Sequence, residues 1–143
     1  VRSSKIKATT IEGDIIPRLI DEIPVIAILA AQAEGTTIIK DAAELKVKES
    51  NRIATTINML KILGVDVEET DDGMIIQGRA GRDFEPIQGK EIGDLLQIDS
   101  HGDHRLAMSS AIAALKSTKP ITILQTEFVA TSFPNFFDII EGL

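Results

Sequence analysis

Apolar positions along this chain recur with two different periods. Between Lys5 and Glu12 the residues alternate and are rich in isoleucine and threonine, which predicts a strand. Asp14 to Pro17 punctuates it, and Leu19 to Ala33 is then apolar nearly all round, as in a helix buried on most sides. Gly35 follows as a stop that tolerates a left-handed backbone, and Thr36 to Lys40 reads as a short β-branched strand. From Lys48 to Leu63, Ile53, Ile57, Leu60 and Leu63 fall on one stripe of an amphipathic helix, with Gly64 ending it. Val65 to Glu69 and Met74 to Gly78 flank Asp71-Asp72-Gly73, a compact turn, and so predict a hairpin.

The order strand, helix, strand, helix, strand, strand then begins again. Gly81 to Gly93 reads as a connection, Leu95 to Ile98 as a strand, His104 to Leu115 as a helix and Ile121 to Leu124 as a strand. Ser132 to Ile140 reads as a closing helix, with Ser132 as its cap and Pro134 in its first turn. No second hairpin follows. The expected fold is therefore α/β (α+β), two repeats with helices layered on mixed sheets, residues 1–79 forming the first unit and 80–143 a truncated second.

Composition narrows the function classes. At 143 residues, 43% of them hydrophobic, the chain can bury a core, and a net charge of −7 offers no electrostatic footprint for nucleic acid or an anionic membrane. Without cysteine there is neither a disulfide framework nor a thiolate metal site, so a cytoplasmic location is expected. The apolar run from Ile23 to Ala33 is too short to span a bilayer. An opening on Val1 and a stop at Leu143, just after Phe136 to Ile140, read as the ends of a segment of something longer.

Candidate chemistry gathers at helix starts. Lys46-Val47-Lys48-Glu49-Ser50-Asn51-Arg52 precedes the amphipathic helix, with Ser50 as a possible cap and Lys48 and Arg52 spaced to share a face. Two cations beside free helix N–H groups suit an anion, although a solvated, salt-bridged helix start explains the same pattern. Gly102-Asp103-His104-Arg105 is a second such start, with Asp103 as cap. Asp21-Glu22-Ile23-Pro24 is a third, where a carboxylate serves either the helix dipole or a proton transfer. His101 and His104 are not completed by cysteine or by a well-spaced acidic cluster, so neither a metal nor a cofactor is expected.

Taken in order, these pieces resemble a known family. Gly13-Asp14-Ile15-Ile16-Pro17-Arg18-Leu19-Ile20-Asp21-Glu22-Ile23-Pro24, Ala33-Glu34-Gly35-Thr36-Thr37, Lys48-Glu49-Ser50-Asn51-Arg52, Asp103-His104-Arg105 and Ala130-Thr131-Ser132-Phe133-Pro134 are similar to the enolpyruvylshikimate-phosphate synthases. The ordered set separates the chain from the related enolpyruvyl transferase of cell-wall synthesis. The resemblance implies βαβαββ units of the enolpyruvyl transferase fold, in a C-terminal segment whose N-terminal half would supply the other wall of the cleft.

The same resemblance implies an activity and roles. Enolpyruvyl would pass from phosphoenolpyruvate to the 5-hydroxyl of shikimate 3-phosphate, in the shikimate pathway of aromatic amino acid biosynthesis. Asp21 matches the base on that hydroxyl, Glu49 the residue handling the proton at the methylene carbon, and Lys48 the lysine near the reacting hydroxyl. Arg52 and Arg105 match the arginines that grip phosphoenolpyruvate, with His104 beside them. Thr131 stands where many members bind phosphoenolpyruvate with a lysine, and Glu44 where others carry an asparagine that contacts shikimate 3-phosphate. A non-catalytic α/β module that holds a phosphorylated metabolite is the alternative reading.

Overall fold

A computed structural model describes residues 4–87, 90–92 and 95–142. Its first sheet contains β1 (Thr10–Ile11), β2 (Thr36–Ile39), β3 (Val67–Glu69) and β4 (Met74–Gln77), in the order β1-β2-β4-β3. β1 and β2 run parallel, joined by a helical crossover, while β4 is antiparallel to both of its neighbours. The hairpin predicted around Asp71-Asp72-Gly73 is present, with Thr70 donating its amide to the Gly73 carbonyl at 3.1 Å. A second sheet holds β5 (Lys90–Ile92), β6 (Leu95–Asp99) and β7 (Ile121–Leu124). Here too a parallel pair, β6 and β7, is connected through a helix, α4 (His104–Ala114). β5 lies in the stretch expected to be a connection and pairs antiparallel with β6.

The helix expected from Leu19 to Ala33 is broken. α1 (Ile16–Leu19) and a 3-10 turn, Ile20–Glu22, precede α2 (Ile23–Gln32). Pro24 is the reason: it has no amide to bond the Ile20 carbonyl, and its ring crowds that carbonyl, so the α-helix restarts with proline in its first turn. A similar correction applies at the chain's end. Phe133 is non-helical (φ −148°, ψ 82°), since the proline after it disfavours the helical region, and this separates α5 (Val129–Ser132) from α6 (Phe136–Glu141). Ser132 therefore closes one helix instead of capping the next.

α2 packs against β4, α3 (Arg52–Ile62) and α4, which is why apolar residues surround it. Ile23, Ala27 and Ala31 are fully buried there, and only Leu29 faces out. One core cluster runs from Ile16 and Ile39 through Ile53, Met59 and Leu60 to Ile98 and Leu106, so both sheets share it. A smaller cluster, Ala107, Ala111, Val129 and Phe136, seals α4 against α5 and α6. Gly64 ends α3 with φ +77°, and a β-carbon there would lie 2.3 Å from the Glu85 carbonyl oxygen. Only glycine meets both conditions.

Candidate functional site

Three helix starts meet, each reached from the C-terminal end of a strand. α3 and α4 begin after the C-terminal ends of β2 and β6, and the turn leading into α2 follows β1, which is parallel to β2. Such ends are where α/β proteins place ligands, because the helix N–H groups there have no partners within the helix.

The α3 start differs from its expectation in two respects. The α-helix begins at Arg52, after a 3-10 segment Ala43–Val47 and a bent stretch, so Lys48 lies outside it and does not share a helical face with Arg52. Asn51 is the cap, its side-chain oxygen accepting the Ala54 amide at 3.2 Å. Ser50 does something else: its hydroxyl donates to Asp103 at 3.0 Å. Lys48 and Arg52 nevertheless converge on one oxygen of Asp21, Lys48 at 3.6 Å and Arg52 at 2.8 Å.

Arg52 is the centre of the cluster. Its side chain is 1% exposed, and each of its three nitrogens meets a carboxylate. Nε donates to Asp103 at 2.7 Å, one terminal nitrogen to Asp21 at 2.8 Å, and the other to Glu49 at 2.6 Å and Asp103 at 3.3 Å. Asp103 is itself fully buried. It also caps α4 as expected, accepting the Arg105 amide at 2.9 Å and the Leu106 amide at 3.4 Å. The turn before it reverses the chain through two positive φ angles, 53° at His101 and 72° at Gly102, and so aims Asp103 inward.

These contacts set the charge states. Burial alone would raise the Asp103 pKa, but the bonds and charge of Arg52, with the Ser50 hydroxyl and the Arg105 amide, hold the carboxyl below its ordinary range. At Asp21 burial is again the largest single effect, but Arg52, Lys48 and Arg105 together outweigh it, and the pKa is lowered. Burial would lower the Arg52 pKa, yet Asp103 above all, then Glu49 and Asp21, raise it. The Lys48 pKa is raised first by Glu44, 2.9 Å away, with Asp21 adding to it. Glu44 thus shares Lys48 with Asp21.

The other sequence-predicted residues are more loosely attached. Arg105 is about one-third exposed and pairs with Glu22, joining the α4 start to the α2 start. His104 is half-buried in the first turn of α4. Thr131 is exposed and donates to the Phe128 carbonyl at 2.7 Å, while the Phe128 ring packs beside Gly102. That neighbour brings it beside the turn that leads to Asp103. What sequence reasoning missed is the partnership of Arg52 with Asp103 and Ser50. A signal existed: Arg52, Thr56, Met59 and Leu63 follow helical spacing and are all buried, so the arginine sits on an otherwise inward-facing stripe. A buried cation demands a buried carboxylate.

The chain is similar to known proteins along its whole length. The family model described as EPSP synthase (3-phosphoshikimate 1-carboxyvinyltransferase) matches residues 1–140. The 3-phosphoshikimate 1-carboxyvinyltransferase of Bacillus licheniformis is 53% identical over the whole chain, and that of Geobacillus kaustophilus 52%. In both cases the chain spans about 31% of the relative's length. A solved EPSP synthase from Acinetobacter baumannii superposes with a TM-score of 0.84 at 45% identity, covering 96% of this chain and 30% of that one. Sequence motifs, fold and the meeting of helix starts thus lead to one assignment: the chain belongs to the EPSP synthase family and has the enolpyruvyl transferase fold.

Proposed function

We propose that the protein containing this chain transfers the enolpyruvyl group of phosphoenolpyruvate to the 5-hydroxyl of shikimate 3-phosphate and releases phosphate, acting in the cytoplasm in aromatic amino acid biosynthesis. The observation that carries the reading is the meeting of Asp21, Lys48, Glu49, Arg52 and Arg105 at three helix starts. Both substrates are anions, and this is the region rich in guanidinium and ammonium donors. Residues 1–79 and 80–143 make up about two repeats of one domain, and the rest of the protein supplies the facing wall.

In this mechanism Asp21, ionised at neutral pH, takes the hydroxyl proton as the oxygen attacks C2 of phosphoenolpyruvate, and Glu49 delivers a proton to the methylene carbon. Elimination reverses the direction: Glu49 takes a proton back from the methyl carbon, the bond from C2 to the phosphate oxygen breaks, and the departing phosphate carries off the proton that Asp21 had taken. Lys48 stabilises the developing charge on the hydroxyl oxygen. Arg105, Arg52, His104 and Thr131 hold phosphoenolpyruvate. Every nitrogen of Arg52 is already bonded, so an incoming anion binds by exchange. Asp21, Glu22 and Glu49 are each about half exposed and free to swing aside, whereas buried Asp103 stays. Losing Arg52 raises the basicity of Asp21 as substrate arrives, which suits a general base.

The test is phosphate release by the complete protein supplied with phosphoenolpyruvate and shikimate 3-phosphate, beside the isolated chain. Turnover by the complete protein alone is expected. Its absence would end the proposal, and turnover by the isolated chain would show that the second wall is dispensable.

A further inference from the structure

We infer that Asp103 is the positioning residue of this site, the one carboxylate that fixes both arginines against phosphoenolpyruvate. The inference rests on the proposed function for its substrate, but its geometry stands independently. One oxygen of Asp103 accepts Nε of Arg52 at 2.7 Å and the Ser50 hydroxyl at 3.0 Å. The other accepts a terminal nitrogen of Arg52 at 3.3 Å and the Arg105 amide at 2.9 Å. The guanidinium of one arginine and the backbone of the other are therefore set by a single group. Asp103 is fully buried, whereas the remaining carboxylates on Arg52, Asp21 and Glu49, are about half exposed. When an anion displaces those two, Asp103 is the contact left to hold the plane of the guanidinium. It touches neither substrate and acts through the arginines.

Asp103→Asn separates this role from helix capping, because asparagine caps a helix as well as aspartate does. The amide keeps one acceptor for the α4 amides but turns an N–H group towards Arg52 or Ser50. In the complete enzyme the expected result is a KM for phosphoenolpyruvate raised at least tenfold, with the KM for shikimate 3-phosphate changed less than threefold. Asp103→Glu, which keeps the charge with one extra methylene, should recover part of that loss. A purely structural role predicts a different pattern, a lower active fraction with the KM for phosphoenolpyruvate unchanged, and that pattern overturns the inference. Exchange of the Arg52 Nε proton, followed by arginine-selective NMR, gives a readout free of the reaction. It should quicken at least tenfold in Asp103→Asn, and unchanged exchange also overturns the inference. If the wild-type enzyme fails to turn over, the proposed function falls and the Arg52 proton alone decides the role of Asp103.

Discussion

Replacing Arg52 by methionine keeps an unbranched chain of similar length and removes the charge, so it isolates the ion cluster. Asp103 then stays fully buried with only the Ser50 hydroxyl and two α4 amides as donors. Removing one partner of a buried pair typically costs about 3–5 kcal/mol, and the surviving donors place this case near about 3. Asp21 and Glu49 are half exposed, and their lost contacts together add no more than about 1 kcal/mol. A total of about 3–4 kcal/mol, at about 2–4 °C per kcal/mol, lowers the melting transition by about 6–16 °C. Calorimetry of the complete protein, following the transition that includes this chain, measures it. Acidity supplies a second check. Without Arg52, burial is no longer outweighed, so the Asp103 pKa in the folded variant rises relative to wild type, where it is depressed. Protonation then relieves the variant first as pH falls, and its deficit should be smaller at pH 4 than at pH 7. A drop below about 2 °C, or a deficit that does not shrink in acid, would refute the account of a buried pair.

Three further outcomes follow from the same geometry. On the proposed mechanism, Glu49→Gln in the complete protein should lower kcat far more than it raises KM for either substrate, since an acid/base group acts mainly in the transition state; an unchanged kcat removes Glu49 from the chemistry. Gly64→Ala, at φ +77° and with its new carbon 2.3 Å from the Glu85 oxygen, should destabilise by at least about 1–3 kcal/mol in a urea titration. A midpoint matching wild type would mean that the turn adjusts freely. In wild type, Asp21 and Asp103 both titrate below their ordinary value of 3.8 when folded, so their stabilisation is complete above that value and is lost as pH falls through the depressed folded values. Urea midpoints should therefore decline below about pH 4, and a flat profile down to pH 2.5 argues against both assignments.

Much of the fold was legible because period and punctuation agree. The hairpin, the β7 strand and α4 with its Asp103 cap fall where sequence places them. Failures cluster where a side chain's partner is distant or where proline interrupts a hydrophobic pattern that carries on regardless. Pro24 and Pro134 broke helices whose apolar residues gave no sign of a break. Ser50 looked like a cap because capping is a local rule, but its hydroxyl serves a carboxylate 53 residues away and Asn51 takes the cap. β5 was missed in a charge-rich stretch whose pairing comes from β6. The helix starts could be picked out as candidates one at a time, but their meeting around Arg52 depends on how helices from two separate sheets pack on one core, which no local pattern encodes.

The ion pair between Arg52 and Asp103 also bears on whether the two sheets, each with its helix, can live apart. Arg52 opens a helix packed on the first sheet and Asp103 opens one belonging to the second, and the core beneath them is shared. Cutting the chain between β4 and β6 would leave each piece with a charge designed for the dark, one cation and one anion, each without its counterpart. Neither piece would be a self-sufficient module, and each would be the other's natural template. With a charge buried across the seam between the sheets, each half depends on the other for its counter-ion.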